Sequence, residues 1–77
     1  MHMFDVKYEY QIKINFKDSK GNIGHSHGKM FGDNETELEN QSRAILTDKE
    51  SIEAMGLETD RTYELLSVDV LSTKEQV

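Results

Sequence analysis

Hydrophobic and polar residues alternate without a break from Phe4 to Phe16. Phe4, Val6, Tyr8, Tyr10, Ile12, Ile14 and Phe16 occupy one phase, and Asp5, Lys7, Glu9, Gln11, Lys13 and Asn15 the other. A period of two sets successive side chains on opposite faces, so this segment is a long strand with one face buried and one wet. Asp18-Ser19-Lys20-Gly21-Asn22 follows, rich in turn formers and with a glycine able to take positive φ, so a hairpin is expected. The second strand runs from about Ile23 to Phe31. Gly32-Asp33-Asn34 ends it.

Thr36-Glu37-Leu38-Glu39 reads as a capping box, which predicts a helix to about Leu46 with an apolar stripe of Leu38, Ile45 and Leu46. Thr47-Asp48-Lys49-Glu50 repeats that signal and opens a short second helix carrying Ile52 and Met55. Gly56 is placed to end it with a left-handed residue. Thr62 to Leu71 is a third strand, with Leu66, Val68 and Val70 on the inner face and Tyr63, Leu65 and Leu71 on the other. Residues 73–77 are expected to fray. Met1-His2-Met3 reads as an added leader, so His2 carries no weight. The expected fold is α+β: one domain over 1–77, a three-stranded antiparallel sheet in the order ββααβ with the first strand central. One long and one short helix cover one sheet face, and the other stays open.

The hairpin register decides where His25 and His27 point, because a slip of one residue turns the whole strand over. A three-residue loop, Ser19-Lys20-Gly21, sets Phe16 against Gly24, Ile14 against Ser26, Ile12 against Gly28 and Tyr10 against Met30. His25, His27, Lys29 and Phe31 then stand on the open face. A four-residue loop would set Phe16 against Ile23 and send both imidazoles into a core with few polar partners. Leaving a buried polar group unbonded costs about 1–3 kcal/mol. The three-residue loop is therefore expected.

Composition trims the list of functions. A chain of 77 residues supports one small core and leaves little room for a deep cleft. Nine Lys and Arg against fifteen Asp and Glu give a formal charge of −6, which opposes direct binding to nucleic acid or anionic lipid. Cysteine is absent, so disulfides, zinc-thiolate sites and cysteine nucleophiles drop out. No apolar run approaches the roughly 20 residues of a membrane span, and no leader for export is expected, since the N-terminus lacks a basic segment followed by an apolar one. A cytoplasmic protein without a cofactor is the expectation.

Candidate chemistry is sparse. Ser26 sits between two histidines but shares the face of neither, so no nucleophile and base are paired. Gly21-Asn22-Ile23-Gly24 belongs to a hairpin with no helix after it and makes no phosphate loop. No enzyme activity is expected. His25 and His27, two apart on a strand, could share a metal ion, but spacing supplies no third ligand. The apolar residues on the open face point instead to a protein contact, with His25, His27, Lys29, Phe31, Tyr63 and Leu65 as the binding residues. Glu35, Glu37 and Glu39 form a second, acidic surface, continued by Asp48, Glu50, Glu53, Glu58, Asp60 and Glu64 and interrupted by Lys49 and Arg61. A homodimer through the open face or an edge strand would also account for the exposed apolar residues.

The layout of alternating strand, glycine-turn hairpin, acidic capped helix and closing strand resembles that of small phage-encoded host-takeover proteins, among them some anti-CRISPRs and a small inhibitor of bacterial RNA polymerase. The resemblance spans about Phe4 to Leu71 and is one of element order, size and acidity. It implies a stoichiometric inhibitor of a bacterial nucleic-acid-processing enzyme with no chemistry of its own. The rival readings are a metal-binding protein using His25 and His27 and a small non-catalytic homodimer.

Overall fold

A computed structural model describes residues 7–75. The expected leader and the first alternating positions, Phe4 and Val6, lie outside that range, as do Gln76 and Val77. The elements are β1 (Tyr8–Asp18), β2 (Ile23–Gly32), α1 (Glu35–Thr47), α2 (Lys49–Ala54) and β3 (Tyr63–Glu75). The sheet order is β2-β1-β3, antiparallel throughout, with the first strand in the centre as its long apolar phase predicts. Tyr10, Ile12, Ile14 and Phe16, with Met30 beside Tyr10 on β2, form the floor of the core, and Leu38 and Leu46 of α1 close over it.

The hairpin takes the three-residue loop. Gly21 lies at φ 90°, a conformation that costs a residue with a Cβ atom about 1–2 kcal/mol. Phe16 meets Gly24, Ile14 meets Ser26, Ile12 meets Gly28 and Tyr10 meets Met30. Gly24 is there because Phe16 needs the room. A Cβ at Gly24 would lie 2.7 Å from Phe16 Cε1 and 2.8 Å from Cζ.

Asp18 locks the loop in place. Its carboxylate accepts bonds from Lys20 N–H (2.9 Å), Asn22 N–H (2.8 Å), Asn22 Nδ2 (3.2 Å) and the Arg61 guanidinium (3.1 Å). The Asn22 backbone bond leads the effects that hold its pKa down at about 2, with Asn22 Nδ2, Arg61 and Lys20 adding to it against the opposing effect of burial. Arg61 also binds Asp60, whose carboxyl it holds below the usual range. Ser19 N–H donates to Thr62 O at 2.9 Å, so the β1–β2 turn is tied directly to the start of β3.

Three expectations need correction. Helix α1 starts earlier than a Thr36 cap allows: Asn34 is the N-cap and accepts from Glu37 N–H at 3.1 Å, while Glu37 Oε2 accepts from Asp33 N–H at 3.1 Å. Asn is at least as good a cap as Thr, and here it follows the strand directly. Helix α2 is capped by Asp48 and closes at Gly56 (φ 79°), with Gly56 N–H bonded to Glu53 O and Leu57 N–H to Ile52 O. That pair of bonds is the Schellman arrangement expected of a glycine stop.

The second correction concerns β3. Leu65 pairs with Phe16 and Ser67 with Asn15, and Val70 pairs with Ile12 and Ser72 with Gln11, so Leu66 and Leu71 are extra residues at two irregularities of the ladder. Each extra residue shifts the phase of a strand that strict alternation treats as continuous. Tyr63 and Leu65 therefore pack on the core with Val68 and Val70, not on the open face. The Tyr63 ring meets Phe16 edge-on at 5.6 Å, and its hydroxyl donates to Glu58 O at 2.7 Å. Leu66, expected inside, is 49 % exposed; Leu71 is 57 % exposed, as expected.

Third, Thr73 and Glu75 are not frayed but pair with Tyr10 and Tyr8. No helix among the described residues is long and apolar enough to cross a membrane.

Candidate functional interface

The open face is built from the odd-numbered positions of β1 and β2 and their partners on β3. Across it run the rows Ile23, Lys17, Glu64; His25, Asn15, Ser67; His27, Lys13, Asp69; Lys29, Gln11, Ser72; and Phe31, Glu9, Lys74. All five β2 residues are exposed, with the apolar ends Ile23 and Phe31 at 65 % and 46 %. On the β1–β2 half of this face three lysines (13, 17 and 29) and two histidines face a single carboxylate, Glu9. A chain of formal charge −6 thus carries a basic strip on one side of its sheet.

Asn15 organises the middle of the strip. Its Nδ2 donates to Ser67 Oγ (3.0 Å) and Asp69 Oδ2 (2.9 Å), and its Oδ1 faces His25 Nδ1 at 2.6 Å. With the amide so oriented, the proton of that last contact lies on Nδ1, and one asparagine bridges all three strands. The strip is held rigid on strands at its centre, a better platform for recognition than a loop.

Of the six binding residues expected from sequence, His25, His27, Lys29 and Phe31 stand together on the open face. Tyr63 and Leu65 belong to the core and leave the candidate surface. For metal, His25 and His27 have Asn15 and Lys13 as their β1 neighbours, and no group of three or more His, Cys, Asp or Glu that could hold an ion forms among the described residues. On the acidic surface Glu35 and Glu39 are exposed, whereas Glu37 is half-buried and occupied in capping; Glu39 lies 3.9 Å from Arg43 on the same helix face. Capping and the helix dipole account for these carboxylates without a partner.

The sequence reading missed Asn15 as a bridge and Lys13 and Lys17 as part of the basic strip. The signal was available, since both lysines occupy the wet phase of β1. A pocket of 280 Å³ between α2 and the start of β3 is lined in part by Leu46, Lys49, Ile52, Arg61 and Tyr63, and the Arg61 guanidinium in its wall is already engaged by Asp18 and Asp60. Compared with known proteins, the chain matches no family model, and neither a curated protein nor a solved structure matches it.

Proposed function

We propose that this chain is a non-catalytic protein-binding module whose contact surface is the β2 side of the open sheet face. The observation that carries the reading is the unbroken row Ile23, His25, His27, Lys29 and Phe31, exposed along an edge strand with an apolar residue at each end and two histidines and a lysine between. Apolar anchors flanking polar contacts, all on a rigid element, are what a protein interface requires. In its finer form the reading makes the partner a bacterial nucleic-acid-processing enzyme that the module inhibits by occupancy. Likeness of layout, size and acidity to phage host-takeover proteins supports that form.

The test is capture of a partner from a lysate of the source cells, or their host, on the immobilised chain at low and raised salt. One protein should be retained in near-equimolar amount, lost with Phe31→Ser, and retained with Glu35→Lys. Purely ionic contacts weaken as the screening length falls to about 3 Å at 1 M salt, whereas contacts anchored by Ile23 and Phe31 persist. Loss with Glu35→Lys and retention with Phe31→Ser would move the interface to the acidic helix.

A further inference from the structure

In an antiparallel pair, successive residues turn their backbone N–H and C=O groups alternately toward and away from the neighbouring strand. The bond from Asp18 N–H to Asn22 O sets that alternation for the hairpin, and the register carries it along β2. Gly24, Ser26, Gly28 and Met30 therefore bond inward to β1. Ile23, His25, His27, Lys29 and Phe31 turn their backbone groups out past the edge of the sheet. The bond from Gln41 Nε2 to Phe31 O, at 2.9 Å, agrees with this, since that carbonyl is reached from the outer side. Among the described residues no loop or side chain bonds the outward groups from Ile23 to Lys29.

The two flanks of this free edge differ in chemistry. On the open face stand His25, His27 and Lys29; behind them on β1 lie Lys13 and Lys17, each paired across the sheet with a β3 carboxylate, Asp69 and Glu64. On the helix face α1 leans over β3 more than over β2. Gly28 is exposed there, and a Cβ built on it meets nothing within 4 Å, while Ser26 beside it is half-buried. The roof thus stops short of the edge and leaves a notch over two small residues.

We infer that β2 accepts an extended acidic segment of a protein partner as a fourth strand, with its carboxylates against His25, His27 and Lys29 and its bulky apolar residues in the notch over Ser26 and Gly28. This deepens the protein-binding reading and rests on it. Strand addition supplies affinity through main-chain bonds and specificity through alternate side chains, which matches an edge with one flank of histidines and lysine and one of small residues. A second copy of this chain fits less well. Antiparallel pairing about His27 would set Ile23 against Phe31, but also His27 against His27 and Lys29 against His25, with no carboxylate to answer either copy's Lys29. A phosphodiester chain would meet the lysine but has no N–H row for the outward carbonyls, and the formal charge of −6 repels it.

The test uses the full chain, isotope-labelled for NMR, titrated with a short synthetic peptide alternating glutamate and leucine. The expected result is shifted amide resonances over Ile23–Lys29 and slowed exchange of the His25, His27 and Lys29 N–H groups. Lys29→Glu should weaken binding about tenfold, by exchanging attraction for like-charge repulsion. His27→Pro removes an outward N–H but no bond to β1, a substitution edge strands tolerate, and should abolish binding. Should that variant fail to fold, the exchange data and Lys29→Glu decide alone. Equal binding of a lysine–leucine peptide, binding of oligothymidylate at the same amides, self-association through β2, or no shift at all would each overturn the inference. A partner captured from lysate that is lost with Phe31→Ser but kept with a folded His27→Pro would overturn strand addition and leave the protein-binding reading standing.

Discussion

Replacing Gly24 by alanine and Gly28 by alanine should move stability in opposite directions, although both glycines lie on the same strand and face the same side of the sheet. At Gly24 the new Cβ would lie 2.7 and 2.8 Å from two carbons of the Phe16 ring. Carbon atoms are at ease at roughly 3.5–4.0 Å, so the overlap is close to 1 Å. The ring has little freedom to withdraw, being 4 % exposed and pinned edge-on by Tyr63. Overpacking of this kind costs about 1–3 kcal/mol. At Gly28 nothing lies within 4 Å and φ is not positive, so alanine restricts the unfolded chain without strain in the folded one. A gain of about 0.4–1 kcal/mol is expected. In a domain of this size 1 kcal/mol moves Tm by roughly 4–8 °C, which resolves the two signs in thermal and urea denaturation followed by circular dichroism. Phe16→Leu removes the clashing carbons, so a double-mutant cycle with Gly24→Ala should show a coupling of about 0.5–3 kcal/mol, and with Gly28→Ala none. Equal losses at both glycines, or no coupling to Phe16, would refute both the register and the partial roof over β2.

Three further outcomes are expected. The folded pKa of Asp18 lies near 2, below that of an unfolded aspartate, so its stabilisation is complete above the unfolded pKa and disappears as pH falls toward 2. Asp18→Asn should flatten the acid limb of stability against pH in that window and leave its slope near neutrality unchanged. Asn34→Ala removes the oxygen that accepts from Glu37 N–H and should cost about 0.5–2 kcal/mol, read as a lower urea midpoint at constant m. Should His25 and His27 bind zinc, calorimetric titration would show a stoichiometric site abolished by His27→Ala; the arrangement of Asn15 and Lys13 around them predicts only weak, non-stoichiometric heat.

The alternation along β1 and the position of Gly21 determined, by themselves, much of the fold. They identified the central strand, its inner face, the loop length and therefore the outward direction of His25, His27, Lys29 and Phe31. Those features are local: a period of two, a glycine at positive φ, and the cost of burying imidazoles are all properties of short segments. The α2 stop at Gly56 was legible for the same reason. Tertiary structure alone decided the facing of Tyr63 and Leu65, because the irregularity at Leu66 exists only in the pairing of β3 with β1 and reverses the phase that alternation implies; the one at Leu71 does the same for Ser72 and Thr73. It also decided the clasp between Asp18 and Arg61, which joins positions 43 residues apart, and the bridge from Asn15 to Asp69. The notch at Gly28 belongs with these. Whether a glycine is crowded, as at Gly24, or open, as at Gly28, depends on where a helix comes to rest over the sheet, and that is settled by the packing of the whole core.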